Sequence, residues 1–237
     1  MAQSNFEENS EIEELHIEPT DVMTGDRNRS RYLLYQLKLS MARAKQIDII
    51  VSFLMESGVR MLLSDLKAAL QRGVRIRILT GNYLGITQPS ALFLLKKELG
   101  DKVELRFYND KNRSFHPKSY IFHYENLSEI YIGSSNISRS ALTSGIEWNY
   151  RFNNNQDSQN FNLFYETFED LFKNHSYVID DAELKAYSKA IFSVDMFNEG
   201  VDIASLDMVM FLRPTESPTV FLQQLGRGLR ISKGKEY

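Results

Sequence analysis

The chain has no cysteine, which excludes disulfide staples and thiolate-ligated metal centres alike. No apolar run approaches the roughly 18 residues that a membrane span requires. The first 26 residues hold no lysine or arginine, whereas a secretory signal opens on a basic region leading into an apolar one. These absences predict a soluble, cytoplasmic protein with no membrane partner. Global disorder is excluded by what is present. Hydrophobic residues make up 43% of the 237 and aromatic residues 12%, enough for a large core.

The net charge of −3 hides an asymmetry. Eight acids fall in the opening segment: Glu7, Glu8, Glu11, Glu13, Glu14, Glu18, Asp21 and Asp26. Without them, 28 basic residues face 23 acidic ones. Residues 1–28 therefore read as a solvated acidic arm. A sharper reading has the arm occupy a basic groove when nucleic acid is absent, imitating phosphate charge.

Periodicity then alternates. Helical spacing in 30–46 precedes an apolar strand at 47–53, and an amphipathic helix at 58–73 stops at Gly73 before a strand at 74–81. A third helix at 88–100 leads to a strand at 103–108. Such alternation implies parallel pairing in an α/β fold. It is broken by "HPKSYIFHY" (116–124) and "EIYIG" (129–133), which read as an antiparallel hairpin. A short helix at 138–144, a strand at 146–152 and an amphipathic helix at 161–174 follow, after which the pattern loosens.

The hairpin carries chemistry. Positions two apart on a strand share a face, so His116 and Lys118 point the same way. Gly133 permits a close turn, Ser134 and Asn136 add neutral donors, and the helix expected after Asn136 would offer free amides to an anion. Glu147 returns a carboxylate to the same edge. A nucleophile or acid, a fixed cation, amide donors and a carboxylate are the parts of a phosphodiester reaction.

His116-x-Lys118, then Gly133-Ser134-x-Asn136, with Glu147 eleven residues beyond Asn136, resembles the phospholipase D superfamily and its single-motif nuclease branch. The resemblance implies an α-β-α sandwich with a mixed sheet over residues 29–178. It implies that His116 attacks phosphorus to form a phosphohistidine and that Glu147 orients the ring. Lys118 and Asn136 would hold the non-bridging oxygens, with a weaker contact from Ser134. No metal or other cofactor is implied.

Two departures matter. The family pattern carries an aspartate five residues after the lysine, and here that residue is His123. By strand period His123 faces away from His116, which suits a structural substitution. The reaction also needs a second histidine to protonate the leaving oxygen, yet the chain has no second H-x-K. A two-fold homodimer would supply it.

Residues 191–237 read differently. "FNEGVDI" (197–203) and Gln223-x-x-Gly226-Arg227-x-x-Arg230 resemble motifs V and VI of superfamily 2 helicases, in the second RecA-like lobe. The resemblance implies that Gly200, Asp202, Gln223, Arg227 and Arg230 serve a nucleotide site, with ATP and Mg bound only in a complete helicase. A phosphate-binding loop is absent: "GNYLGITQ" (81–88) has no lysine. Compared with proteins in which a phospholipase D-like domain precedes a helicase, the helicase core is missing, with a linker or join at 179–190. The expected function is metal-independent cleavage of DNA within a restriction-type or DNA-processing protein. The alternative is a non-catalytic DNA-binding or assembly module of such a helicase. Arg60, Lys67, Arg72, Arg75 and Arg77 are candidate phosphate contacts.

Overall fold

The structure, a computed structural model, describes residues 19–26, 29–81, 86–110 and 113–189. In chain order these form β1 (Val22–Met23), α1 (Leu33–Arg43), β2 (Gln46–Val51), α2 (Glu56–Gln71), β3 (Arg75–Thr80), α3 (Pro89–Leu99) and β4 (Val103–Tyr108). Then come β5 (Lys118–His123), β6 (Ser128–Gly133), α4 (Arg139–Thr143), β7 (Asn149–Asn153), α5 (Ser158–Asn174), β8 (Ser176–Val178) and α6 (Asp181–Lys189).

One sheet takes all eight strands, in the order β1-β7-β6-β5-β2-β3-β4-β8. β2, β3 and β4 are parallel neighbours, as their helical crossovers α2 and α3 require. Every other pairing is antiparallel. β2 and β3 are buried at five of six positions, the pattern of strands covered on both faces. On one face Leu37, Leu62, Leu92, Leu142 and Leu184 bring helices α1, α2, α3, α4 and α6 against Ile47, Ile76 and Phe122. On the other, Phe161, Phe168 and Phe172 of α5 pack on Ile50, Leu79 and Ile121. The result is the α-β-α sandwich with a mixed sheet.

Some boundaries move. β5 starts at Lys118, because Pro117 has no N–H to give a ladder, so His116 stands just before the strand. β7 starts at Asn149, which leaves Glu147 in the irregular stretch ahead of it. The helix after Asn136 has only five residues, and its cap Ser138 accepts the Ala141 N–H at 3.2 Å. The Arg139 N–H is also taken, by Ser57 Oγ at 3.4 Å, so two of the first amides of this short helix already have partners. α5 begins earlier than its apolar pattern, at Ser158, because Asp157 caps it through the Asn160 N–H. β1 lies inside the stretch read as an acidic arm, with Met23 fully buried. α6 lies inside the stretch read as a linker, with Leu184 fully buried. The motif residues Gly200, Asp202, Gln223, Arg227 and Arg230 lie outside the described residues.

Candidate active site at one end of the sheet

The sheet register brings the motif residues to one end. Lys118 pairs with Val51, the last residue of β2. One residue further along β6 from the Ser119–Ile132 pair is Gly133, which itself pairs with Asn149 of β7. A Cβ at position 133 would lie 2.2 Å from the Trp148 carbonyl oxygen and 2.3 Å from Asn149 Oδ1. Glycine is needed there for close approach.

His116 is held from both sides in sequence. Phe115 is buried, stacks on Tyr108 at 4.5 Å and packs on Gly81. The Pro117 carbonyl accepts a hydrogen bond from Ser52 Oγ at 3.2 Å. Between them the His116 side chain is exposed. Lys118, 8% exposed, folds back so that Nζ lies 2.8 Å from His116 Nδ1 and donates to the His116 carbonyl at 3.0 Å. Exposed as the residue is, partial desolvation of the ring, and then the neighbouring Lys118 charge, hold it below the ordinary imidazole value of 6.5. Burial also lowers the Lys118 ammonium, while the Glu147 carboxylate works the other way.

Asn136 is buried, and its Oδ1 accepts the Phe53 N–H at 3.3 Å. With that oxygen committed to backbone, the amide Nδ2 is the group it can offer a phosphoryl oxygen. Ser134 donates its hydroxyl to Glu147 and accepts the Trp148 N–H at 3.1 Å. The Ser134 N–H donates to the Trp148 carbonyl at 3.0 Å. Thus His116 pairs with Lys118, Ser134 pairs with Glu147, and Asn136 is pinned to the turn after β2. Among the described residues, no three His, Asp or Glu side chains are grouped to hold a metal ion.

His123 belongs elsewhere. Its Nε2 lies 3.0 Å from Asp48 Oδ2 and its Nδ1 lies 2.9 Å from Ser128 Oγ. Asp48 also accepts from Arg77 at 2.6 and 2.8 Å, and Arg77 reaches Glu169 of α5 at 2.6 Å. This buried network fastens α5 to the sheet on the face opposite Tyr120 and Phe122.

That network removes Arg77 from the expected phosphate contacts, since it is 2% exposed. The other four are occupied as well. Arg60 pairs with Glu56, Lys67 with Glu98 and Arg75 with Glu104, while Arg72 donates to the Met41 carbonyl. Periodicity put these residues on helix and strand faces but, apart from the one-turn Arg60–Glu56 pair, could not foresee their partners. Two exposed arginines lie beside the motifs instead: Arg113, three residues before His116, and Arg139, three after Asn136. Adjacency to the motif was the signal that would have found them.

Residues 36–172, more than half of the chain, match the family described as cardiolipin synthase, PLD-like domain. The chain belongs to this PLD-like family. Residues 172–232 match the helicase conserved C-terminal domain.

Nuc from Salmonella typhimurium, a phospholipase D family member, shares the fold with a TM-score of 0.51 at 19% identity. The match covers 67% of this chain and 97% of Nuc. The polyphosphate kinase from Porphyromonas gingivalis also has a TM-score of 0.51, at 13% identity, covering 70% of this chain and 25% of the kinase. IRC3 of Saccharomyces cerevisiae, named among ATP-dependent helicases, is 32% identical over 50 residues. That match takes in 21% of this chain and 7% of IRC3. No helix among the described residues is long and apolar enough to cross a membrane.

Proposed function

We propose that the PLD-like domain cuts phosphodiester bonds in DNA without a metal, through a covalent phosphohistidine on His116, in a homodimer. The observation that carries the reading is the His116–Lys118 pair, with Nζ 2.8 Å from Nδ1, at the sheet end that also holds Asn136 and Glu147. The unprotonated ring nitrogen attacks phosphorus, and the N–P bond forms as the P–O bond to the leaving strand breaks. The Lys118 ammonium and the Asn136 amide take up charge on the non-bridging oxygens. Glu147 balances the charged ring. Arg113 and Arg139 hold flanking phosphates.

The leaving oxygen needs a proton, and the other described histidines are engaged elsewhere. His123 is bonded to Asp48 and Ser128, and His175 sits with Asp170 at the end of α5. The donor is therefore the partner subunit's His116, as imidazolium. Neutral after that transfer, the same ring takes a proton from water as the water oxygen attacks phosphorus. The N–P bond then breaks and neutral His116 returns. Within a helicase-linked, restriction-type machine this unit would make the cut, and a nucleotide site there would use Arg227 and Arg230 with ATP and Mg.

The test is cleavage of plasmid DNA in EDTA, run beside sedimentation of the same sample. Cutting by a dimer, lost in His116→Ala, is expected. An active monomer would overturn the mechanism. A dimer that binds DNA and never cuts it would make the domain a binding or assembly module of a superfamily 2 helicase.

A further inference from the structure

Glu147 has its carboxylate held by the Ser134 hydroxyl, but the stretch of chain that carries it has little of its own to fix its backbone. Residues 146–148 have no regular structure, and its neighbours Ile146 and Trp148 are 84% and 73% exposed. Side-chain burial on either side therefore does not anchor the carboxylate. Its backbone is instead walled in. One wall is the Ser134 turn, through the paired contacts with Trp148. A second is the end of α4, where the Gly145 N–H donates to the Ser140 carbonyl at 2.7 Å.

The third wall comes from more than a hundred positions earlier in the chain. Gly25 has φ +65°, in the left-handed region that favours glycine. A Cβ there would lie 2.3 Å from the Gly145 carbonyl oxygen, 3.0 Å from the Glu147 nitrogen and 3.1 Å from Ile146 Cα. Backbone is touching backbone, and neither side can yield by turning a rotamer.

Residues 20–25 are themselves tied down. Val22 and Met23 pair with Tyr150 and Asn149 of β7, immediately after the Glu147 stretch. The Asp21 carbonyl accepts the Arg151 N–H at 2.8 Å, and its carboxylate takes the Arg151 guanidinium at 2.7 Å. Met23 is fully buried, and Gln36 of α1 accepts the Thr20 N–H at 3.3 Å. The segment is thus fixed to the sheet edge and to α1, and it presses one glycine on the Glu147 backbone.

We propose that residues 20–25 form a positioning element of the active site, in which Gly25 fixes the backbone of Glu147 so that its carboxylate, held by Ser134, stays in place. The inference deepens the proposed cleavage reaction, but its first readout does not depend on turnover. Lys118 feels the Glu147 carboxylate, so the titration of its ammonium reports where that carboxylate is.

The experiment follows the Lys118 side chain by NMR pH titration in the full chain, with its signal assigned through Lys118→Arg. Wild type is compared with Glu147→Gln, Gly25→Ala and Asp21→Asn, and cleavage kinetics are measured on the same samples. Glu147→Gln should lower the Lys118 midpoint. Gly25→Ala should lower it in the same direction and reduce kcat by up to about a hundredfold with KM little changed, since small misplacements cost that much. Asp21→Asn, which loosens the segment without touching the site, should do the same to a smaller degree. A merely structural role would lower the melting temperature and leave the Lys118 midpoint where it was. Wild-type Lys118 midpoints in folded Gly25→Ala and Asp21→Asn would overturn the proposal, and if Gly25→Ala does not fold, Asp21→Asn decides alone. If wild type cuts no DNA, the cleavage reading falls while the Lys118 midpoints still decide this one.

Discussion

The Nζ of Lys118 lies 2.8 Å from Nδ1 of His116 and 3.0 Å from the His116 carbonyl oxygen. The cation is thus clamped to the backbone of the residue whose ring it faces. A charge held in place beforehand needs no reorganisation when a phosphoryl group gains charge beside it.

On the proposed mechanism, the same pair would set the acid limit of activity. Partial desolvation, and then the Lys118 charge, hold the ring below 6.5. A nucleophilic ring is disabled by protonation, so a lowered value keeps it competent to more acidic pH. The acid limb of kcat/KM on a simple phosphodiester should have its midpoint below 6.5. Lys118→Met removes the positive neighbour and should move that limb upward, on whatever residual rate remains.

Asn136→Ala should separate rate from stability. Loss of one donor to a developing negative charge costs about 10²- to 10³-fold in kcat. Loss of the bond to the Phe53 N–H should cost only about 1 kcal/mol. Kinetics and a thermal melt of one sample read both.

Gly133→Ala is expected to fail through space. Its Cβ would stand 2.2 Å from the Trp148 carbonyl, and overpacking of this kind costs about 1–3 kcal/mol. Urea denaturation should report that loss. Because the added methyl meets the backbone of Trp148, the chain's one tryptophan, its emission should shift as well.

Asp48→Ala should destabilise far more than any exposed charge change. Arg77 would remain 2% exposed without its main carboxylate, and breaking a buried pair costs about 3–5 kcal/mol. Burial alone would raise the Asp48 carboxyl, but hydrogen bonds from His123 and Arg77 outweigh it and hold it below 3.8. A lowered carboxylate contributes stability above its unfolded value that is lost as pH falls through the folded one. Wild type should therefore lose this contribution below pH 3.8, and Asp48→Asn should flatten that part of the stability curve.

Local pattern was enough for the alternating elements, the hairpin and the order of the motif residues, because strand and helix periods are properties of neighbours in the chain. It also put His123 on the far face, where the structure has it bonded to Asp48. Tertiary packing decided the rest. Lys67, Arg75 and Arg77 find carboxylates 31, 29 and 29 positions away, and no period encodes such partners. β1 has two residues, too few to show a period, and becomes a strand only because β7 offers it an edge. The contact of Gly25 with the Glu147 backbone exists only once that edge is filled. Sequence alone determined which chemical groups stand near one another along the chain. Only folding decided which of them share a site, because that depends on a sheet register that brings distant segments to one end.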